Sequence, residues 1–301
     1  MTIDELVDEV KVRSPRHAKK LDETLDMNDE NYTRKANVFL EKYDRLLSDQ
    51  GLDMNYAIDC YFEMVNMVLF EHKEFLHTEN YRYSSFDEVR ELVYDNVPYM
   101  KRYMNGLILS QFLWLHHYKM VEFQSNELPY YKGKVNSYLE IGGGHGLFLS
   151  SAHEILGEKV HFTCVDLSAS SLEMCKNFNS DIVVNYVKSD INDFETKEKF
   201  DFISMGEVLE HVEEPTMLMA KLWDLVSDDG TVFITVPTNA PVIDHIYLFR
   251  NAQEIIDICE KVGFEVIKDM SFYAEDVDAK RADKMKVAMM YACYLKKKKT
   301  N

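Results

Sequence analysis

Cysteine, proline and glycine are all scarce in this 301-residue sequence, which contains five, six and eleven of them, respectively. The cysteines are odd in number, and no two have the spacing of a CxxC pair: Cys60, Cys164, Cys175, Cys259 and Cys293. This pattern argues against a disulfide framework and against a zinc site. Scattered thiols are typical of a reducing compartment, so a cytoplasmic location is expected.

Two classes of partner are disfavoured by what the sequence lacks. No apolar run reaches the roughly 18 residues that a membrane-spanning helix needs. The start of the chain, Met1-Thr2-Ile3-Asp4-Glu5, is acidic and has no apolar stretch of signal-peptide length. Positive charge is also scarce, since 34 Lys and Arg stand against 52 Asp and Glu, a formal net charge of −18. Such a surface repels phosphate backbones, so neither a membrane nor a nucleic acid is expected as a partner.

Hydrophobic spacing is helical throughout the first part of the chain. Apolar residues recur every three to four positions over Tyr56–Phe75 and again over Pro98–Phe123, and each stretch predicts one long helix. His116 and His117 are adjacent on the second predicted helix, so both are not expected to face one ligand. No strand pattern occurs in this part. We predict a helical domain over residues 1–128, which acts as a lid, a substrate-binding domain or a dimerisation domain.

Strands and helices alternate in the remaining part, residues 129–301. Such alternation predicts a doubly wound, Rossmann-like α/β fold, in which helices cover both faces of a mainly parallel seven-stranded sheet. The last two predicted strands follow each other without a helix, which predicts an antiparallel last strand. The predicted strands are Val135–Ile141, His161–Leu167, Ile182–Val187, Phe200–Met205, Thr231–Val236, Phe264–Met270 and Val287–Leu295. The predicted helices are Gly146–Leu156, Pro215–Val226 and Ala252–Val262.

A glycine-rich loop follows the first predicted strand and contains Gly142, Gly144 and Gly146. Ligands bind beyond the carboxyl ends of the strands in such sheets, and glycine lets the backbone approach them closely. A dinucleotide fingerprint requires another glycine three positions after Gly144, where Leu147 stands instead. No Gly-Lys-Ser/Thr phosphate loop is present either. The loop therefore predicts a cofactor site of a different kind.

Acidic residues stand at the ends of three successive predicted strands. Asp166 is positioned to accept hydrogen bonds from ribose hydroxyls. Asp190 is positioned to accept one from an adenine amino group, with Ile191 packed on the ring. Glu140 directly precedes the glycines, where a carboxylate suits a cationic ligand. One such acid is ordinarily a helix cap or a solvated loop residue, but three together predict a single cofactor site.

These motifs resemble those of class I S-adenosylmethionine-dependent methyltransferases over residues 135–295. The run from Gly206 to Val212, Gly-Glu-Val-Leu-Glu-His-Val, resembles the ubiquinone-biosynthesis O-methyltransferases and their small-molecule relatives. The resemblance implies methyl transfer from S-adenosylmethionine to an oxygen or nitrogen atom of a small-molecule acceptor, whose identity stays open. The cofactor-binding residues that it implies are Glu140, Gly142, Gly144, Gly146, Asp166, Leu167, Asp190, Ile191 and Gly206.

The chemistry needs few dedicated groups, because a sulfonium is already a good leaving group. The protein has mainly to position the nucleophile and to remove its proton. His245, in the loop after the fifth predicted strand, is the predicted general base. The alternative is a histidine that caps a helix or packs against aromatic neighbours.

Glu207, Glu210 and His211 form an E-x-x-E-H cluster after the fourth predicted strand. Some relatives with this pattern, including RNA 3′-end methylases, place a divalent metal near these residues. Here Val212 stands where a second histidine would complete a pair. A structural role, and no metal, is therefore predicted for the cluster.

Two other functions remain open. Aminopropyl transfer uses the same fold, but it would need an additional acidic pair after the fourth strand, which the sequence lacks. A non-catalytic, S-adenosylmethionine-binding regulatory partner would retain every cofactor motif. A homodimer formed through the N-terminal helices is a further expectation.

Overall fold

The computed structural model describes residues 1–27 and 29–299, which form a helical N-terminal part and a sheet flanked by helices. The helices of the first part are α1 (Ile3–Arg13), α2 (Pro15–Thr24), α3 (Glu30–Asp49), α4 (Met54–Thr78), α5 (Phe86–Val89), α6 (Val97–Leu113) and α7 (Leu115–Glu127). The strands are β1 (Ser137–Ile141), β2 (His161–Asp166), β3 (Val184–Lys188), β4 (Phe200–Gly206), β5 (Val226–Thr238), β6 (Phe264–Tyr273) and β7 (Met289–Lys297). The helices among the strands are α8 (Leu147–Leu156), α9 (Ala169–Phe178), α10 (Pro215–Leu225), α11 (Ala252–Val262) and α12 (Ala279–Met285).

The N-terminal helices pack around a core of their own, which confirms the predicted helical part. Helix α4 begins at its N-cap Asp53, whose side chain accepts from the backbone N–H of Tyr56. It packs closely on α6 at Gly106, where an added Cβ would lie 2.6 Å from the carbonyl oxygen of Cys60. No helix within the two described ranges has both the length and the apolar character to cross a membrane.

The single helix predicted over Pro98–Phe123 is wrong, because the chain breaks at Trp114. This residue has an extended backbone (φ −115°, ψ 108°) and separates α6 from α7. Its indole N–H donates to the hydroxyl of Tyr61 at 2.9 Å, a tertiary contact that a helical period cannot reveal. His116 and His117 therefore lie in the first turn of a new helix. Both border the same cavity, contrary to the expectation from their adjacency.

The sheet has the strand order β3-β2-β1-β4-β5-β7-β6. The pairs β1–β2, β2–β3, β1–β4 and β4–β5 are parallel, whereas β7 runs antiparallel to both β5 and β6. This arrangement confirms the doubly wound fold and its antiparallel last strand. The chain proceeds from β1 to β2 on one side and to β4 on the other, so a ligand crevice is expected at their carboxyl ends.

Two details of the sheet differ from the sequence-based expectation. Strand β5 starts at Val226 instead of Thr231 and pairs irregularly with β4 between Phe200 and Phe202. The connection between β6 and β7 contains the short helix α12, whose N-cap Asp278 accepts from the backbone N–H of Arg281. The helix was not predicted, because its seven residues are too few to show a clear period.

Helix α7 joins the two parts. Its Phe123 packs against Phe233 of β5 and Tyr294 of β7, with ring centroids 6.3 and 5.5 Å away. Helix α7 thus covers one face of the sheet although it lies before residue 128. The division at residue 128 stays a prediction.

Candidate active site

A cavity of about 1030 Å³ lies between the carboxyl ends of the strands and the N-terminal helices. Pockets for small molecules typically measure about 300–1,000 Å³, so this one lies at the upper end of that range. The sheet contributes residues 142–145 and the ends of β2, β3, β4 and β5 to its wall. Helices α2, α4, α6 and α7 contribute the opposite wall.

The glycine loop forms part of this wall through backbone that only glycine adopts easily. Gly142 and Gly144 have φ values of +69° and +51°, and both border the cavity. An added Cβ on Gly142 would lie 2.4 Å from Cγ2 of Val208, so no side chain fits there. Gly146 has a different place. It is the N-cap of α8 with φ +80°, and an added Cβ would lie 2.3 Å from Nδ2 of Asn179.

Asp166 lies beneath the glycine loop and helps to hold it. Its carboxylate accepts from the backbone N–H groups of Gly144 at 3.1 Å and Ser168 at 2.8 Å. Burial raises the pKa of Asp166 to about 6, against the opposing effect of these hydrogen bonds. Asp166 borders the cavity. So do the four other residues that the sequence predicts at this edge of the sheet: Leu167, Asp190, Ile191 and Gly206.

Glu140 lies behind the loop and does not border the cavity. The hydroxyl of Tyr138 donates to its Oε2 at 2.5 Å, and the hydroxyl of Ser204 donates to its Oε1 at 3.3 Å. Because side chains alternate along β1, Glu140 shares a face with Tyr138, towards Gln124 of α7. Burial raises the pKa of Glu140 to about 8.

The loops after β4 and β5 bring Glu210, His211 and His245 together. Nε2 of His211 and Nε2 of His245 lie 3.7 and 3.9 Å from Oε1 of Glu210. Nδ1 of His245 lies 2.6 Å from the carbonyl oxygen of Ala240, and Nδ1 of His211 lies 2.9 Å from that of Asp244. A carbonyl only accepts, so each Nδ1 carries the proton and each Nε2 presents a lone pair.

The electrostatics of this cluster suit a bound cation. Burial, together with the nearby Glu207, raises the pKa of Glu210 well above its usual range. Neither carboxylate oxygen of Glu210 has a hydrogen-bond partner among residues 1–27 and 29–299. Burial and the adjacent His211 lower the pKa of His245 to about 3, so its ring is neutral at physiological pH. One ligand atom from each of Glu210, His211 and His245 falls within 4.8 Å of the others, a set that could hold a metal ion.

Sequence reasoning missed the tyrosines by which the helical part reaches this cluster. The hydroxyl of Tyr94 lies 3.1 Å from Nδ1 of His211 and donates to Oδ2 of Asp244 at 3.2 Å. The hydroxyl of Tyr81 accepts from the backbone N–H of Ala240 at 3.1 Å. Tyr94 ends a π-helical turn over Arg90–Tyr94, a feature often found at functional sites. Nothing in the sequence distinguishes these two among 18 tyrosines.

Comparison with known proteins gives matches over the part of the chain that carries this site. A family model described as a methyltransferase domain matches residues 114–269. The chain is 30% identical over 154 residues to the ubiquinone biosynthesis O-methyltransferase of Actinobacillus pleuropneumoniae. That alignment covers 47% of this chain and 64% of the relative, which is less than two thirds of its length.

Two solved structures share the fold at low sequence identity. Mitomycin 7-O-methyltransferase MmcR superposes with a TM-score of 0.52 and 9% identity, covering 77% of this chain and 67% of that one. A putative methyltransferase, solved in complex with the Trm112 methyltransferase activator of Haloferax volcanii, gives a TM-score of 0.52 and 11% identity. That match covers 69% of this chain and 98% of the other. The likeness concerns the fold alone.

Proposed function

The chain belongs to the methyltransferase-domain family, with the class I architecture whose cofactor is S-adenosylmethionine, and on this basis we propose that it methylates an oxygen or nitrogen atom of a small-molecule acceptor. The observation that carries the proposal is one continuous cavity. It is bordered by the glycine loop and Asp166 at one end and by Glu207, His211 and His245 further along.

The residues at the glycine-loop end fit S-adenosylmethionine. The backbone of Gly144 has free space beside it for a ligand, since an added Cβ would have no neighbour nearer than Met104 at 3.8 Å. Asp166 provides a buried carboxylate for the ribose hydroxyls. Asp190 accepts from the backbone N–H of Asn192 through Oδ1 at 2.8 Å, which leaves Oδ2 for an adenine amino group. The bound cofactor supplies an activated methyl group, and the remaining chemistry belongs to the chain.

We propose His245 as the residue that accepts the proton of the acceptor. Its Nδ1–H is fixed by the carbonyl of Ala240, so the lone pair of Nε2 is held in one direction. The ring borders the cavity and is 7% exposed, so little water competes for it. The low pKa of His245 leaves its ring unprotonated at neutral pH and able to accept a proton, but it also makes the ring a weak base.

The buried carboxylate of Glu210 favours a second arrangement of the same residues. A carboxylate without hydrogen-bond partners is costly to bury, whereas two imidazole lone pairs and a carboxylate suit a divalent cation. Such a cation would favour the deprotonated form of an acceptor hydroxyl, and His245 would then be a ligand instead of a base. This proposal replaces the sequence-based expectation of no metal, because His245 provides the second histidine from another loop.

Location and assembly are part of the proposal as well. All five cysteines are free, and the Sγ atoms of Cys164 and Cys175 lie 3.9 Å apart without a bond. This pattern supports a reducing, cytoplasmic setting. The charge of −18 supports a small molecule as the acceptor over a nucleic acid. The homodimer stays a prediction.

The test is to incubate the full chain with methyl-labelled S-adenosylmethionine and a desalted, protein-free metabolite extract. We expect S-adenosylhomocysteine to form and the label to appear in a small molecule, with Gly142→Ala as the inactive control. Cofactor binding without product would indicate the non-catalytic partner instead. Release of methylthioadenosine from the decarboxylated cofactor would indicate aminopropyl transfer. Label in nucleic acid or protein, when these are added, would contradict a small-molecule acceptor.

A further inference from the structure

A second region of the cavity lies between α2, α4, α7 and the segment after β6. We name this region the distal chamber and define it by five polar residues of its wall: His17, Lys20, His72, His116 and Glu275. They come from four separate segments of the chain. Under the proposed function, the cofactor occupies the glycine-loop end, so the distal chamber is where the body of the acceptor lies.

The rest of the distal chamber is apolar and partly aromatic. Phe62 and Val65 of α4 line it together with Trp114, at the start of α7. Met285 and Val287 line it from the connection between β6 and β7. Binding against such a wall is favourable for a ligand whose apolar surface is removed from water, so the wall selects a ligand with a hydrophobic body.

Charge is distributed unevenly along the cavity. Carboxylates such as Asp166, Asp190 and Glu207 border it at the carboxyl ends of β2, β3 and β4. In the distal chamber Lys20 pairs with Glu275 at 2.7 Å, and three imidazoles surround the pair. Burial lowers the pKa values of the histidines at positions 17, 72 and 116, with a smaller contribution from Lys20 that Glu275 opposes at His72, so these rings are neutral hydrogen-bonding groups.

The ion pair that closes the distal chamber is weak enough to be exchanged. The side chains of Lys20 and Glu275 are 46% and 40% exposed, and pairs as exposed as this one contribute little to stability. A ligand anion held against the apolar wall would meet Lys20 in a drier setting, together with imidazole N–H donors. Exchange of Glu275 for such an anion would therefore cost little.

We propose that the acceptor is a largely apolar, ring-containing molecule that carries an anionic group. The anionic group takes the place of Glu275 beside Lys20, and the apolar body lies along Phe62, Val65 and Trp114. The proposal rests on the proposed function and adds to it the chemical class of the acceptor.

Two fluorescent probes test this proposal without a methylation assay. The probe 8-anilinonaphthalene-1-sulfonate is an aromatic anion, and N-phenyl-1-naphthylamine has the same rings without the sulfonate. Each is titrated into the full chain saturated with S-adenosylhomocysteine, so that the cofactor end is filled. We expect Lys20→Gln to weaken binding of the anionic probe about tenfold and to leave binding of the neutral probe unchanged. Glu275→Gln is expected to strengthen binding of the anionic probe.

Lys19→Gln is the matched control, because Lys19 lies on the same helix with its side chain 81% exposed and outside the cavity wall. Each variant is first shown to bind S-adenosylhomocysteine as the wild type does. Equal effects of Lys20→Gln and Lys19→Gln, or no gain from Glu275→Gln, would overturn the anionic end. Neither result bears on methyl transfer, so the proposed function would stand or fall on its own test.

Discussion

The hydroxyl of Tyr94 lies 3.1 Å from Nδ1 of His211, a contact that joins the helical part of the chain to the loop after β4. The same hydroxyl donates to the carboxylate of Asp244, the residue directly before His245. One tyrosine thus braces both histidine-bearing loops. Under the proposed function, the helical part would therefore do more than cover the cofactor, because it would also fix the groups proposed to face the acceptor.

Removal of the Tyr94 hydroxyl tests this bracing. Tyr94→Phe keeps the ring but loses a buried hydrogen bond to a carboxylate, so we expect kcat to fall roughly tenfold or more. The affinity for S-adenosylhomocysteine should fall less than kcat does, since no hydrogen bond of Tyr94 in the described part of the chain reaches the glycine loop. Tyr83→Phe is the matched control, because Tyr83 lies in the same segment without a hydrogen bond in the described part of the chain. Equal activity of the two variants would contradict the bracing role.

Alanine substitutions at Gly142 and Gly133 separate the effect of backbone strain from the effect of a side chain that collides in the glycine loop. Gly142 and Gly133 have similar φ values, +69° and +76°, so alanine should cost each about 1–2 kcal/mol in the free energy of unfolding. Only at Gly142 does the new Cβ collide, with Val208, whereas nothing lies within 4 Å of it at Gly133. Calorimetry should therefore find S-adenosylhomocysteine binding lost in Gly142→Ala and retained in Gly133→Ala. Equal affinities would show that the loop does not contact the cofactor.

Acid should weaken cofactor binding through Asp166. Its pKa is raised to about 6, and only the ionised carboxylate can accept from both ribose hydroxyls. The dissociation constant of S-adenosylhomocysteine should be flat above neutral pH and should rise up to about tenfold per pH unit below the pKa. Asp166→Asn should bind weakly and lose this dependence. A wild-type affinity that stays constant in a titration from about pH 5 to about pH 8 would contradict the proposed role of Asp166.

Glu140 should matter little for cofactor affinity, although it precedes the glycines. Its pKa is raised to about 8, so the carboxyl is mostly protonated at neutral pH, and it faces Tyr138 and Ser204 instead of the cavity. Glu140→Gln retains the shape and the neutral state, so S-adenosylhomocysteine affinity should change less than about threefold. A loss as large as that of Asp166→Asn would restore the direct role that the sequence suggests.

A divalent cation at Glu210, His211 and His245 would make activity sensitive to chelation. With such a cation bound, EDTA should abolish product formation, Mn²⁺ or Mg²⁺ should restore it, and Glu210→Gln should prevent the restoration. Direct titration with Mn²⁺ should show one site in the wild type and none in His245→Ala. Full activity after chelation, with activity still lost in His245→Ala, would instead favour His245 as the general base.

The meeting of the glycine loop and Asp166 at one edge of the sheet could be predicted from the sequence because it depends on local patterns. The glycine loop directly follows β1 and Asp166 ends β2, and parallel strands bring their carboxyl ends to one edge whatever the rest of the chain does. The direction in which the Glu140 side chain points was harder to predict from the sequence. It depends on which face of β1 meets α7, and the strand is too short for its pattern to show this.

The sequence singles out His245, Glu210 and His211, but their meeting in space could not be predicted. His245 meets Glu210 only because the loop after β5 folds back, with the backbone N–H groups of Ile246 and Tyr247 donating to the carbonyl of Glu210. Tyr94 meets His211 across 117 positions of sequence. Contacts between residues so far apart in the sequence depend on tertiary packing, which no spacing rule encodes. The break between α6 and α7 at Trp114 also depends on tertiary packing.

A crystal structure with S-adenosylhomocysteine tests the central claim most directly, through the distance from the cofactor sulfur to Nε2 of His245. Methyl transfer with His245 beside the nucleophile requires no more than about 8 Å, given near-attack and hydrogen-bonding distances. We predict such a distance, with the adenine against Ile191 and the ribose on Asp166. A sulfur that points away from Glu210, His211 and His245, or a cofactor bound elsewhere, would contradict the account.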